Sequence, residues 1–387
     1  MRRALILALG AAALLFPGAA RADDPFTINA IFSMTGYAAF IGQGSAVALR
    51  VVEDEVNRSG GIQGRPVHFE IVDDQSNPAT ARALVDQIIA KGAAVILGPV
   101  LTSNCEAVFP QILPSGPVDY CGSPSVFPKA GTYAFALGPS FRDLSVAMVR
   151  YLRAKGWKRV AILATTDASG QVAEREGASA LGLPENKDMT LVATEHFGVA
   201  DVGIGAQVAR IRSANPDAIL AEVTGTPLGT VLHGLHDAGI DVPVITNAGN
   251  INPNQIASYA AFLPATMLFS GFAFMAPNLN RDQRVRDLQQ QFVADVTALK
   301  AEPAGPTAST YDPVRVVVDA FRHLGTKATA AQIRDYIEHV KGYPSINGLM
   351  DYTDGNQRGM EETGVVIVQW DGTKRTFAPV SRYGGAP

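Results

Sequence analysis

Between residues 26 and 245, short Val/Ile-rich runs alternate with longer stretches whose apolar positions recur at helical spacing. That alternation restricts the fold more than any other feature. Runs at 26–32, 67–71, 94–97, near Val118, 159–164, 190–194, 218–222 and 242–245 read as strands. Helices are expected at 44–57, 80–91, from about 103, and at 143–155, 171–181, 205–213 and 228–238. Strands separated by helices of this length build βαβ units and parallel sheets. There are too many strands for one doubly wound sheet, so the expectation is an α/β chain of two doubly wound parallel-sheet lobes. Beyond Ala273 the texture changes to helical segments at 281–300, 310–324 and 331–339, with a β-rich tail at 364–369. A Pro/Gly stretch from Glu302 to Pro306 joins the first two of these segments. No internal repeat and no low-complexity block interrupts the pattern.

The amino terminus carries an address. Arg2-Arg3 precedes an apolar run over 4–16, Pro17-Gly18 breaks it, and Ala20-Arg21-Ala22 offers small residues at a cleavage site. That order reads as a secretory signal peptide cut after Ala22. Its apolar core is shorter than the roughly 20 residues of a membrane helix. Asp23, rather than Cys, follows the cut, so no lipid anchor is expected. About 365 residues remain, enough for two domains. Removing Arg2, Arg3 and Arg21 takes the formal charge from −4 to −7. A mildly acidic surface offers no footprint for nucleic acid. An exported chain also works without cytosolic nucleotide cofactors, and none is expected.

Catalytic signatures are weak. H-E-x-x-H, G-x-S-x-G and P-loop patterns are absent from the sequence. His233 and His236 lie three apart on a helix without a third ligand nearby, and no metal is expected. Gly203-Ile204-Gly205 is too short for a dinucleotide loop. Asp73-Asp74 are strand neighbours and point to opposite faces. The two cysteines, Cys105 and Cys121, are a candidate disulfide in an oxidising compartment.

Binding signals are stronger. In parallel α/β sheets, ligands sit beyond the carboxyl ends of strands, where loops enter helices. After the 94–97 strand comes Gly98-Pro99-Val100-Leu101-Thr102-Ser103-Asn104, and after the next comes Cys121-Gly122-Ser123-Pro124-Ser125. Free N–H groups and hydroxyls at a helix start suit a carboxylate. Helix capping alone accounts for either loop singly; two adjacent loops of the same character favour a ligand.

These residues fall into a known order. Thr35-Gly36, Gly42, Asn57-Arg58-Ser59-Gly60-Gly61-Ile62-Gln63-Gly64-Arg65, Asp73-Asp74, Pro78, Gly98-Pro99, the Ser123 loop and Thr310-Tyr311-Asp312 follow one another along the chain. The chain resembles the periplasmic leucine/isoleucine/valine-binding protein family, the type I solute receptors of ABC importers. The resemblance implies a periplasmic, monomeric, non-enzymatic receptor that holds a small molecule between two lobes. Three crossovers would join the lobes, a hinge would close them, and an inner-membrane ABC permease would be the partner. It places lobe 1 at 23–139 and 269–346, and lobe 2 at 140–268 and 347–387.

Departures from the family pattern bear on the ligand. The resemblance assigns the carboxylate grip to Thr102 and Ser123, with backbone at Cys121 and Gly122; Ser103, at the same helix start, is a further candidate. The acid that would pair with a ligand ammonium falls in the segment of Asn247-Ala248-Gly249, where this chain has Ala248; Glu222 is a possible substitute. Ser169-Gly170 replaces an aromatic-Gly pair, and the aromatic expected near Gly225-Thr226 is missing, while Tyr37 and Phe40 add rings from the first loop. The family disulfide positions map to Ser76 and Leu101, leaving Cys105–Cys121 as a replacement. A larger, partly aromatic pocket without an ammonium partner suits an aromatic or keto carboxylate. The alternatives are a branched-chain or other amino acid, a sensory module for a membrane kinase or chemoreceptor, and, furthest from the pattern, an enzyme.

Overall fold

β1 (Phe26–Phe32) buries Ile28, Ala30, Ile31 and Phe32, and the chain returns over it as α1 (Ala39–Arg58). Among the buried residues of α1, Ile41, Ser45, Leu49, Val52 and Val56 recur at three- and four-residue intervals, one stripe of a helix, and Gly42, Ala46, Ala48 and Val51 widen it. The computed structural model describes residues 24–360 and 364–387, so the expected signal peptide lies outside the described residues. β2 (Val67–Asp73), α2 (Pro78–Ala90), β3 (Val95–Leu97), α3 (Thr102–Ile112), β4 (Val118–Cys121) and β5 (Ala134–Ala136) complete a parallel sheet ordered β2-β1-β3-β4-β5. α2 starts where Asn77 Oδ1 accepts the N–H groups of Ala79 and Thr80 and Pro78 occupies the first turn.

α4 (Phe141–Ala154), opened by a Ser140/Asp143 capping box, carries the chain to a second sheet. There β6 (Arg159–Thr165), α5 (Ala168–Leu181), β7 (Thr190–Phe197), α6 (Gly205–Ala214), β8 (Ala218–Glu222), α7 (Pro227–Asp237), β9 (Val244–Thr246), α8 (Pro253–Ser258) and β10 (Met267–Phe272) follow. α9 (Gln283–Ala298), α10 (Gly305–Leu324), α11 (Ala330–Glu338) and a hairpin, β11 (Lys341–Ser345) and β12 (Gly348–Asp351), return to the first lobe. α10 lies on α1: Thr307 Oγ1 donates to Gly44 O (2.9 Å) and the Tyr311 hydroxyl to Glu55 Oε1 (2.7 Å). β13 (Val365–Asp371) and β14 (Thr376–Pro379) finish the second sheet, ordered β14-β13-β10-β9-β8-β6-β7. β6 to β10 are parallel, whereas β13 and β14 are antiparallel additions at one edge.

The chain passes between the lobes three times, and two of the expected boundaries move. Met267–Phe272 is buried throughout and pairs with both β9 and β13, so the second passage follows Phe272 rather than residue 268. The third passage falls after Met360, not at 346. Tyr352 bonds Tyr120 hydroxyl to hydroxyl, and Gln357 O accepts the Ala136 N–H (3.0 Å), which keeps this stretch on the first lobe. Ile346-Asn347, next to the expected boundary, forms the tight turn of the β11–β12 hairpin, across which Ser345 pairs with Gly348. α10 starts five residues earlier than expected because Pro306 sits in its first turn, where a proline costs no hydrogen bond. No helix among the described residues is long and apolar enough to cross a membrane.

A disulfide joins Cys105 on α3 to Cys121 at the end of β4, both fully buried. It closes a short loop, with a sequence separation of 16. Replacing both cysteines with serine is expected to lower unfolding free energy by about 3 kcal/mol, measured by urea denaturation. Thiol titration of the unreduced, unfolded wild type should find no free thiol; two would reject the bridge.

Candidate functional site

The carboxyl ends of the two sheets' parallel strands face one another, and the loops leaving them build a cleft. From β3 the chain turns at Gly98 (φ +91°), where a Cβ would stand 2.2 Å from Ile31 O, so only glycine fits. Thr102 is the first residue of α3. Leu101 precedes it in the cap position and supplies no side-chain hydrogen bond. The Thr102 hydroxyl therefore serves its neighbours instead: Ser123 Oγ lies 2.8 Å away and Ser169 Oγ 2.7 Å away. Thr102 and Ser123 belong to the first lobe, while Ser169 stands in the first turn of α5 in the second. All three are buried. The sequence expectation of a hydroxyl at each strand end is thus realised as one chain of three hydroxyls crossing the lobes.

Beside this chain lies a cleft with about 580 Å³ not occupied by protein atoms, part of it open to solvent. Apolar walls come from Ile41, Val100, Leu137, Phe141, Leu144 and Phe272, and polar groups from Ser169, Thr224, Asn247 and Ser309. Among the described residues, no ionisable side chain lines it. A smaller space of about 270 Å³ shares Val100, Gly122, Leu137 and Ser309 with it and runs into the first lobe among Phe32, Leu97, Tyr120 and Val314. That annex is almost wholly apolar.

Of the residues singled out from sequence, Gly122, Ser169 and Ala248 line the cleft, and Thr102 and Ser123 bond at its edge. Tyr37 and Phe40 sit instead at the rim: a Cβ on Gly225 would lie 2.8 Å from Tyr37 O and 3.2 Å from the Phe40 ring. Burial raises the Tyr37 pKa, with the Asp167 and Asp74 carboxylates adding to the effect. Ser103 turns aside and donates to Asn104 Oδ1 (3.3 Å). Cys121 is held in the disulfide and lines only the annex. Gly170 lets α5 approach β6, since a Cβ there would meet Thr165 O at 2.1 Å. Thr226 opens α7, and its neighbour Thr224 reaches the cleft in its place. The apolar walls, Leu137, Pro139, Phe141, Leu144, Phe272 and Pro306, were not expected. They come from passages and helix starts far apart in sequence, and no motif marks them.

Residues 25–375 match the family described as periplasmic binding protein. The chain belongs to the periplasmic binding protein family. The Leu/Ile/Val-binding protein BraC3 of Rhizobium johnstonii is 23% identical over 371 residues, covering 94% of this chain and 96% of that one. An extracellular ligand-binding receptor from Rhodopseudomonas palustris superposes with a TM-score of 0.80 at 21% identity, covering 91% of this chain and 99% of its own. A leucine-binding protein LivK from Thermotoga maritima gives a TM-score of 0.77 at 16% identity, covering 92% and 97%.

Within this periplasmic binding protein Glu222 does not take the role left open at Ala248. It ends β8 on the sheet face covered by α5, where a Cβ on Gly177 would lie 3.4 Å from its Oε1. Both carboxyl oxygens are buried without a partner. Desolvation pushes its pKa from 4.5 to about 8, so at neutral pH it is an uncharged acid outside the cleft. The sign of the linkage follows. Between these values the folded protein holds a proton that the unfolded chain has released, so stability is complete below about pH 4.5 and falls as pH rises toward 8. The slope is about 1.4 kcal/mol per pH unit at most. Glu222→Gln should flatten that decline, giving a melting temperature above the wild type's at pH 8 and near it at pH 5. Parallel curves for the two proteins would reject the assignment.

Proposed function

We propose that this protein is the periplasmic receptor of an ABC importer and holds a small organic acid, an aromatic or keto carboxylate, between its lobes. The observation that carries this reading is a cleft with hydroxyls from both lobes at one end and, among the described residues, no ionisable side chain on its walls. The hydroxyls of Thr102, Ser123 and Ser169, with the backbone N–H groups opening α3 and α5, suit a carboxylate. The apolar walls of the cleft suit a ring or branched tail. An ammonium would find no counter-charge among the described residues of the cleft: Ala248 is buried and Glu222 is neutral and elsewhere. Burying an unpaired ammonium costs several kcal/mol. A ligand touching Thr102 and Ser169 together would favour closure of the lobes about their three passages, the state an inner-membrane permease would read.

A second reading rests on the relatives' names: BraC3 and LivK are named for branched-chain amino acids. On that reading leucine, isoleucine or valine would occupy the same cleft, with its ammonium satisfied by the Asn247 side chain and backbone carbonyls.

A thermal-shift panel decides between the two. Phenylpyruvate, benzoate and 4-methyl-2-oxopentanoate should raise the melting temperature by several degrees and leucine should do little; the reverse order selects the amino-acid reading. Thr102→Ala or Ser123→Ala should weaken carboxylate binding by about 1–3 kcal/mol each. Ser169→Trp should leave a weak complex whose radius of gyration, by small-angle scattering, does not change at saturation.

A further inference from the structure

Arg358, seven residues past the β11–β12 hairpin, is 8% exposed and has no carboxylate partner among the described residues. Its Nη1 donates to Leu137 O and its Nη2 to Pro124 O (3.0 Å), and its guanidinium lies over the Phe127 ring at 4.9 Å. Nε is buried without an acceptor. Leu137 and Pro124 both line the cleft, so this cation stands directly behind the cleft wall. Burial lowers its pKa to about 10, opposed by Asp143 and Tyr120, and it stays protonated at neutral pH. The Asp143 carboxylate is itself taken up by Ser140 N (2.8 Å) and Oγ (2.6 Å).

The peptide between Pro124 and Ser125 connects this charge to the site. Its carbonyl accepts from Arg358, and its N–H donates to Ser123 Oγ (3.3 Å). A hydroxyl that already accepts there offers its own hydrogen onward, toward Thr102 Oγ1 or a bound oxygen. Hydrogen bonds in such a chain polarise one another, and the low dielectric of the interior strengthens the effect.

We infer that Arg358 is a positioning residue that sets the charge class of the ligand, holding Ser123 as a donor through the Pro124–Ser125 peptide and favouring a singly anionic carboxylate over a zwitterion. The inference rests on the carboxylate reading of the cleft. A zwitterion brings its own positive charge into the same potential and gains less from it.

Two probe pairs that share a tail isolate the effect: 4-methyl-2-oxopentanoate with L-leucine, and phenylpyruvate with L-phenylalanine, each titrated calorimetrically. Arg358→Met is expected to weaken the keto acids about tenfold more than the amino acids. Arg358→Lys, which keeps the charge, should recover most of that ratio. Asp143→Asn, which removes an opposing charge on another element, should move the ratio about two- to threefold the other way and stands in if Arg358→Met fails to fold. Equal weakening of both members of each pair, or a lysine variant that behaves like methionine, would overturn the inference. A wild type that prefers the amino acids would overturn the ligand class alone, because the change in ratio across the variants still reads Arg358. Binding of none of the four probes would overturn both.

Discussion

Parallel pairing of β1 to β5, and again of β6 to β10, sends every one of those strands to the same edge of its sheet, and the cleft follows from that constraint. A parallel strand must be followed by a crossover before the next can begin, so each loop at the carboxyl edge starts a helix or a turn. Thr102 follows β3, Ser123 follows β4, Ser169 follows β6, Thr224 follows β8, and Asn247 to Gly249 follow β9. Phe272 is the last residue of β10. The polar and apolar parts of the site are therefore neighbours in space while spread over more than a hundred residues of sequence.

Among the described residues, both lobes keep their charges out of the cleft lining, and the acids are housed in two ways. In the first, Asp74 is buried yet accepts from Ser33 Oγ, Asn104 Nδ2 and Ser76 N, so it fastens the β1 loop to α3. Half-buried Asp73 ties down the same loop through Met34 N, Thr35 N and Thr35 Oγ1. Asp119 in β4 and Glu222 in β8 have no partners, and burial raises both pKa values, so each acid favours its neutral form. Acids that make hydrogen bonds set loop geometry; those that make none stay silent.

Architecture was legible because periodicity is a local signal. The 218–222 strand matches β8 to the residue, and the helices from 141 to 237 start or end within a few residues of expectation. What escaped was short or non-local. β5 is only three residues long, and β10 is buried on both faces, which removes the alternation that marks a strand. At the site, Thr102, Ser123 and Ser169 were visible as hydroxyls beside helix starts. Their bonding to each other across two lobes was not, since nothing in sequence fixes how two sheets oppose. Tyr37 and Phe40 illustrate the converse: rings near a binding loop pointed to the pocket, whereas neither lines the cleft, and the Tyr37 carbonyl and the Phe40 ring stand against Gly225.

The bridge between Cys105 and Cys121 lies one helical turn beyond Thr102 and two residues before Ser123. It therefore spans the two loops whose hydroxyls must keep a fixed spacing, and Ser123 N donates to the Cys121 sulfur (3.4 Å). Such a bond persists where thiols are oxidised and not in a reducing cytosol. Without this brace, the spacing of the two first-lobe hydroxyls would rest on their own hydrogen bonds and on packing. The crosslink thus makes the recognition geometry of the first lobe conditional on the redox state of its surroundings, tightest where thiols are oxidised.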